Sequence, residues 1–341
     1  MKLLLSVVLL FSMSVAWSQE KSPFSFTAGE KRIELRWKGR LLTAYRFDDS
    51  VRKPFLYPVN TVEEIPVTRG FPLQPRAGER TDHPHHTGLW QNYESVNGLD
   101  FWNNSTAIAP ERRHLYGTIR HKSAETTVTS DSAILLSRSQ WLRPNGRLVM
   151  NETTRYRFTV MGNRFFILRE SWLAASSDTV FFKDVKDGFL AIRLARELEM
   201  PSTQKDLFIL PDGGTTKERV VNNEGTTGLY QSSRGLAGDS VWSSRANWVV
   251  LRGRKESKDI SVSIFDHPSN VGFPAYWHAR GYGLFAVNPF GQKVFSNGRE
   301  ELNFKLLPGQ TVHFRYLVMI ASEGVGNSEL EQTFQQFAGT H

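Results

Sequence analysis

The feature that most constrains the fold is an alternation of apolar and polar residues between closely spaced turn signals. Tyr156 and Phe158 alternate with charged neighbours, as side chains do in a strand that buries one face. The pair Asn145-Gly146 precedes this segment and Gly162-Asn163 follows it, and both pairs accept the positive φ of tight hairpin turns. The pattern therefore predicts an antiparallel meander.

The same period of two recurs along the chain, at residues 33–37, 42–47 and 312–320. Residues 184–199 fit a strand or a helix, and we favour a strand through Arg193. The sequence contains no cysteine, so the hydrophobic core must supply the stability without disulfides. We predict an all-β fold, a large antiparallel β-sandwich, with no linker long enough to divide it.

The end of the chain departs from the strand pattern. Residues 328–331, Ser-Glu-Leu-Glu, have the form of a helix capping box, and Gly339 is a stop signal. Leu330, Phe334 and Phe337 recur at a helical spacing that places them on one face. A short C-terminal helix that packs on the sheet is the predicted outcome.

The first 18 residues are predicted to be a cleavable signal peptide. Lys2 is followed by the apolar run 3–11, and the small residues Ala16 and Ser18 precede a cleavage site after Ser18. Residues 19–341 would then form one domain that is periplasmic or secreted. No later apolar run is long enough to span a membrane as a helix.

The charge balance constrains the class of partner. The chain has 42 Lys and Arg against 34 Asp and Glu, a formal net charge of +8, but the basic residues are dispersed. Because nucleic-acid binding needs clustered basic residues, we expect no nucleic-acid partner. A small-molecule or oligosaccharide ligand, including one that carries a carboxylate, fits this balance. The oligomeric state stays open.

The stretch with the most groups able to transfer protons or bind metals is residues 79–102, which contains His83, His85 and His86 together with Trp90 and Trp102. Imidazoles suit proton transfer or metal binding near neutral pH. If the segment is extended, as Pro84 favours, His83 and His85 share one side and His86 takes the other. The preceding residues 52–76 contain five prolines, so we expect an unpaired connection that forms a wall of the site.

A second such stretch is residues 264–291, which contains the predicted site residues His267, Trp277, His278, Arg280 and Asn288. Indole can cover the apolar face of a sugar while Arg and His hydrogen-bond its oxygens. A buried structural role for Trp277 is equally consistent with the sequence. A joint site requires that the two stretches meet in space.

Six motifs in these regions resemble those of the bacterial PmoA-like family, labelled "methane oxygenase PmoA". They are residues 66–72 (Pro-Val-Thr-Arg-Gly-Phe-Pro), 82–90, 97–102 (Asn-Gly-Leu-Asp-Phe-Trp), 266–268 (Asp-His-Pro), 277–280 (Trp-His-Ala-Arg) and 288–291 (Asn-Pro-Phe-Gly). The resemblance covers nearly all of the chain after residue 18. Where family members commonly carry Arg after the double histidine, this chain has Thr87.

The family's label does not fit the sequence, because a methane oxygenase subunit of that kind is a membrane protein and no apolar run of 18 residues follows the signal segment. The family is functionally uncharacterised. The resemblance implies carbohydrate metabolism and a sandwich of the galactose-mutarotase kind, an analogy at the level of the fold.

Our leading hypothesis is a carbohydrate lyase, hydrolase or epimerase that acts on a modified or oxidised sugar. His86 or His278 would transfer the proton, and Arg193 or Arg280 would stabilise an oxyanion or bind a carboxylate. The predicted catalytic residues are His86, His278 and Arg193. The predicted substrate-binding residues are His83, His85, Trp90, Trp102, His267, Trp277, Arg280 and Asn288.

Three alternatives use the same residues. The protein could be a glycan-binding protein without catalysis, in which the aromatic side chains carry the affinity. It could be a metalloenzyme with one divalent ion on His83, His85 and a third ligand such as His86 or His278. Finally, the histidine stretch could be incidental to a structural β-sandwich.

Overall fold

A computed structural model describes residues 22–340, and the predicted signal peptide lies outside them. Two eight-stranded sheets dominate the structure, and every pair of neighbouring strands is antiparallel. Strands are numbered along the chain. The prediction of an all-β antiparallel sandwich with a short C-terminal helix is confirmed.

The first sheet runs from one edge to the other in the order β1 (Phe24–Ala28), β2 (Arg32–Trp37), β3 (Arg40–Arg46), β4 (Phe55–Val59), β5 (Leu89–Tyr93), β11 (Gly188–Arg193), β16 (Leu284–Asn288) and β15 (Tyr276–Arg280). Its central strands β5 and β11 pair directly although about a hundred residues separate them in the chain. Non-local pairing of this kind brings distant segments to one surface.

The second sheet has the order β12 (Leu229–Ser232), β13 (Trp248–Lys255), β14 (Lys258–Asp266), β18 (Thr311–Ala321), β9 (Arg164–Ala175), β8 (Leu148–Met161), β7 (Ser132–Leu142) and β6 (Thr118–Val128). A small ladder joins β10 (Val180–Phe181) to β17 (Lys305–Leu306). The helices are α1 (Gln292–Phe295), α2 (Asn327–Ala338) and three 3₁₀ turns, Pro110–Leu115, Arg196–Leu198 and Gly238–Val241. No helix within residues 22–340 is long and apolar enough to cross a membrane.

The main core lies between the two sheets and follows from the alternation of each strand. From the first sheet, Leu89 of β5 and Phe285 of β16 point inward, and from the second, Phe158 of β8 and Phe314 of β18 meet them. The residues between them in each strand point outward. Each sheet therefore has a second, outer face that must be covered.

The two outer faces are covered differently. Helix α2 packs Leu330, Phe334 and Phe337 on the outer face of the second sheet, so the predicted apolar helix face is confirmed. On the first sheet, Trp90 of β5 and Ala191 of β11 form a separate apolar cluster under the segment that follows β4. This second covering carries the histidines.

Both predicted hairpin turns and the predicted strand through Arg193 are confirmed. The prediction of an unpaired connection at 52–76 is wrong in part, because β4 pairs with β3 and β5. The predicted capping box is also wrong: α2 begins after Gly326, and no side chain caps it. Packing of its apolar face is what holds this helix in place.

We expect Leu330→Ala to lower the free energy of unfolding by about 2–5 kcal/mol, because it opens a cavity under α2. Gln332→Ala, on the exposed face of the same helix, should change it by less than about 0.5 kcal/mol. Ser328→Ala should be equally mild because no cap is lost. Urea unfolding checks all three, and a large loss from Ser328→Ala would contradict the account.

Candidate functional site

The histidine stretch forms a tight turn rather than an extended segment. The amide of His86 donates to the carbonyl of His83 at 3.0 Å, and His83 has a φ of 44°. The expectation that His83 and His86 lie on opposite sides is therefore wrong. Pro84 at the second position favours such a turn, and the reversal brings both rings to one side.

The turn is seated on the first sheet by a close backbone approach. Gly88 has a φ of +59°, and a Cβ there would lie 2.0 Å from the carbonyl oxygen of Leu56 in β4. Only glycine fits this position. The chain enters β5 one residue later, so the turn is fixed directly above the outer face of the sheet.

Four rings stack into an aromatic column, formed by Tyr282, His83, His86 and Trp90. The ring centroids of Tyr282 and His83 are 5.1 Å apart, those of His83 and His86 are 4.7 Å apart, and those of His86 and Trp90 are 5.3 Å apart. The interplanar angles are 9°, 1° and 25°. Because Tyr282 belongs to the stretch 264–291, the two histidine stretches meet here.

A buried carboxylate hub, Asp82 with its three partners Arg69, Arg193 and His83, orients the column. Oδ1 of Asp82 lies 2.5 Å from Nη1 of Arg69 and 2.6 Å from Nη2 of Arg193. Oδ2 lies 2.5 Å from Nδ1 of His83. Burial alone would raise the pKa of Asp82, but Arg193, His83 and Arg69 together hold it well below its usual range.

Arg69 also holds the backbone of the turn. Its guanidinium donates to the carbonyls of Asp82 and His83, both at 2.9 Å, and to that of His86 at 3.3 Å. The amide of Arg69 donates to the carbonyl of Arg193 at 3.0 Å, and both guanidinium groups contact the same oxygen, Oδ1 of Asp82. Neither Arg69 nor Arg193 is accessible to a ligand, since each side chain is at most 1% exposed.

His86 is a neutral ring inside this arrangement. Nη1 of Arg193 lies 3.1 Å from Nδ1 of His86, and because a guanidinium can only donate, the proton of His86 is assigned to Nε2. Burial, with the nearby charges of His85, His83 and Arg193, holds the pKa of His86 well below its usual range. Within the described residues, Nε2 is buried without a hydrogen-bond partner.

His85 and Lys53 lie beside the column. The carbonyl of His85 accepts from Nζ of Lys53 at 2.6 Å, and Nζ lies 5.1 Å from the ring centroid of Trp90. Burial lowers the pKa of Lys53 to about 7, and burial with the charge of Lys53 lowers that of His85 well below its usual range. His85 is therefore a buried neutral residue.

Two neighbouring residues with carboxyl side chains, Asp187 and Glu94, were missed by the sequence analysis. Asp187 precedes β11, and its Oδ1 lies 3.6 Å from Nδ1 of His278 on β15. Burial raises the pKa of Asp187, partly offset by Lys186 and His83. Burial and Asp187 raise the pKa of Glu94 to about 6. A raised carboxyl pKa was invisible in sequence because it depends on tertiary burial.

A cavity of about 450 Å³ adjoins the Tyr282 end of the column. Arg280 and Tyr282 line it from the first sheet, and Asp239 and Trp242 line it from the neighbouring loop. Trp242 is 36% exposed. Neither Asp239 nor Trp242 was singled out from the sequence, because they lie in a loop-rich segment with no motif.

Several predicted site residues have other positions. Trp277 points into the core, where its Nε1 donates to the carbonyl of Ala246 at 3.0 Å, so the structural alternative for it holds. His267 lies on the second sheet beside Phe337 of α2 and 3.1 Å from Nη1 of Arg315. Asn288 donates to the carbonyls of Val185 and Lys186, and it supports the loop that leads to Asp187. The binding roles predicted for these three residues are corrected accordingly.

The predicted catalytic residues are also more buried than expected. His86, His278 and Arg193 are all at most 2% exposed, and burial with the charge of Lys186 lowers the pKa of His278 to about 3. Trp90 and Trp102 are each 1% exposed and form the floor beneath the histidines. In contrast, 37% of the His83 side chain is exposed. The accessible imidazole is thus His83.

The geometry of the histidines is poorly suited to sharing a metal ion. Parallel stacking of His83 on His86 keeps their ring nitrogens from converging on one point, and Asp82 holds Nδ1 of His83. Within residues 22–340, no group of three or more His, Cys, Asp or Glu side chains is placed to hold a metal ion.

Solved structures that match the chain as a whole include carbohydrate enzymes. The GH36 alpha-galactosidase AgaB from Geobacillus stearothermophilus is 13% identical with a TM-score of 0.41; the match covers 88% of this chain and 41% of that one. A galactose mutarotase related enzyme from Lactobacillus acidophilus is 12% identical with a TM-score of 0.30, and the match covers 88% of this chain and 98% of that one. The Slr1438 protein from Synechocystis sp. PCC 6803 is 10% identical with a TM-score of 0.29, covering 92% and 100%.

The chain thus spans less than half of the length of the alpha-galactosidase that it resembles. No curated protein matches the sequence. Residues 32–335 match a family of unknown function, DUF6807, and this match spans most of the sequence. The protein belongs to the DUF6807 family.

Proposed function

We propose that the protein is a carbohydrate-active enzyme, a lyase, hydrolase or epimerase, in which His83 transfers a proton to or from a bound sugar. The observation that carries this proposal is the pairing of Asp82 with Nδ1 of His83 at 2.5 Å while the His83 ring is partly exposed. A carboxylate that holds Nδ1–H leaves Nε2 available to a substrate. Such an arrangement supports general acid–base chemistry.

The two carboxyl groups near His83 have opposite environments. Asp82 is held ionised by two guanidinium groups, whereas burial raises the pKa of Asp187. Opposed pKa shifts around one imidazole are typical of acid–base sites, where one carboxylate orients and the other exchanges a proton. We assign the second proton-transfer role to Asp187, with His278 beside it.

The predicted roles of His86 and Arg193 change in this proposal. Both are buried, and Arg193 is occupied by Asp82 and His86. Both are positioning residues. His86 stacks on the ring of His83, and Arg193 holds Asp82, which in turn holds Nδ1 of His83. Arg193 therefore does not stabilise an oxyanion by direct contact.

A second candidate function is glycan binding without turnover. The exposed Trp242 beside the 450 Å³ cavity favours it, because an indole ring can stack on a sugar. It differs from the enzyme proposal in one measurable respect: saturable sugar binding would occur with no product and no exchange of a sugar proton with solvent.

The test is product formation, and incorporation of solvent deuterium into the sugar, from a panel of native and oxidised glycosides. We expect His83→Gln to lower kcat by roughly 10²–10⁴-fold, the usual contribution of a general acid or base. His313→Gln, on the outer face of the second sheet, is the matched control and should keep the wild-type rate. Wild-type turnover by the His83 variant would remove this residue from the mechanism.

The metal alternative is decided by metal analysis together with the same activity assay. Metal content is measured for the wild-type protein and for a His83→Ala, His85→Ala double variant, and the activity of the wild type is measured with a chelator. We expect no loss of rate with the chelator. Stoichiometric metal that disappears in the double variant, together with chelator-sensitive turnover, would replace the acid–base proposal with a metal-assisted one.

We expect Asp82→Asn to destabilise the fold by about 3–5 kcal/mol at neutral pH, because it leaves two buried guanidinium groups without their counter-charge. The folded-state pKa of Asp82 lies below its unfolded value, so its stabilisation is present above that value and lost as the pH falls. The difference between variant and wild type should therefore narrow from about pH 5 downward. Urea unfolding at several pH values checks this, and a difference that is independent of pH would contradict it.

A further inference from the structure

We propose that the cavity beside Tyr282 binds a sugar that carries a carboxylate, and that Arg280 is the residue that recognises this group. The inference rests on the proposed function and names the substrate class of the same site. It is carried by the surroundings of Arg280, which differ from those of the other arginines in the site.

Arg280 is placed at the cavity by the alternation of β15. His278 and Arg280 point to the outer face of the first sheet, while Trp277 and Ala279 point into the core. The guanidinium carbon of Arg280 lies 5.6 Å from the ring centroid of Trp242 and 5.9 Å from that of Tyr282. Two aromatic rings therefore hold the guanidinium at the wall of the cavity.

No described residue accepts a hydrogen bond from the N–H groups of Arg280. Among residues 22–340, its side chain has no hydrogen-bond acceptor and no carboxylate within ion-pair distance. In contrast, Arg69 and Arg193 share Asp82, and Arg245 pairs with Glu300. A guanidinium has five donors in a planar fork that matches a carboxylate, so Arg280 keeps this capacity for a ligand.

The rest of the cavity suits the hydroxyl groups of a sugar. Asp239 lines it and forms no ion pair with Arg280 or with any other described residue. A carboxylate of this kind accepts hydrogen bonds from hydroxyl groups. Ser202 and Gln204 add further polar groups, and Trp242 offers an exposed ring face.

Size and charge narrow the ligand further. A volume of about 450 Å³ is in the range of small-molecule sites and accommodates a monosaccharide unit. One unpaired guanidinium balances the charge of one carboxylate, whereas a phosphate group carries a charge of about −1.5 to −2 at neutral pH. A sugar acid meets these requirements: its carboxylate would bind Arg280, its hydroxyl groups Asp239, and its ring Trp242.

The cavity is one side chain, that of Tyr282, away from His83. Tyr282 separates Arg280 from His83, and its ring contacts both. The charge of Arg280 also lowers the pKa of Asp187, after the larger effects of burial, Lys186 and His83. Because neither His83 nor Asp187 lines the cavity, a sugar anchored on Arg280 would reach them by extending past the ring of Tyr282.

Binding of free D-galacturonate and D-glucuronate tests the inference, measured by calorimetry and by intrinsic tryptophan fluorescence. Their methyl esters and the neutral sugars serve as paired ligands. We expect saturable binding of at least one acid, and Arg280→Gln should weaken it by roughly 10- to 100-fold, as loss of charge-assisted hydrogen bonds does. The same variant should leave the affinity for the methyl ester unchanged. Arg280→Lys should restore part of the affinity for the acid, because it keeps the charge but not the fork.

Arg147→Gln, in the hairpin between β7 and β8, is the matched control and should bind the acids as the wild type does. Equal affinities for acid and ester, or an unchanged affinity for the acid in Arg280→Gln, would overturn the inference. So would inorganic sulfate or phosphate displacing the acid at lower concentration than free carboxylates do.

The failure of this inference can be separated from failure of the proposed function. Turnover of neutral sugars that depends on His83 but not on Arg280 would overturn the carboxylate site and keep the enzyme. Binding of the acid that depends on Arg280, without turnover or solvent exchange of any sugar proton, would keep the carboxylate site and support the glycan-binding alternative.

Discussion

The candidate site depends on one buried carboxylate. Asp82 is shared by Arg69, Arg193 and His83, and each of these partners reaches a different part of the structure. Arg193 ties the hub to the central strand β11, and Arg69 ties it to the backbone of the histidine turn. A buried carboxylate with two guanidinium groups stays ionised, and an ionised Asp82 fixes which nitrogen of His83 carries a proton.

The hub is available because the outer faces of the two sheets are covered in different ways. Helix α2 covers the outer face of the second sheet with phenylalanine and leucine side chains. The outer face of the first sheet is covered by the histidine turn, whose rings stack on Trp90 of β5. The side chains of the site thereby rest on a rigid sheet, which keeps their rotamers fixed.

The sequence was sufficient to predict the fold class because alternation and turn pairs are local signals. The hairpins around Asn145-Gly146 and Gly162-Asn163, the strand through Arg193 and the apolar face of α2 were all predicted from them. Strand β4 was missed because prolines argue against pairing, and the pairing itself is non-local. The resemblance to the PmoA-like family and the signal peptide stay predictions.

The structure brings together the two stretches that the sequence analysis required to meet, but the exposure of their side chains was not predicted. Both histidine stretches contribute to one place, since Tyr282 stacks on His83. The roles depend on which side chains are exposed, and tertiary packing determines that exposure. Packing buries His86 and Arg193, places Trp277 in the core and raises the pKa of Asp187. A spacing of residues carries no information on these outcomes.

Nitrogen NMR of the histidine rings in ¹⁵N-labelled protein tests the central claim most directly, because it reports which ring nitrogen is protonated. The account predicts a proton on Nδ1 of His83, and a neutral His86 that carries its proton on Nε2 and does not titrate between about pH 8 and 6. A His86 ring that titrates near its ordinary pKa, or a His83 ring protonated on Nε2 alone, would contradict it.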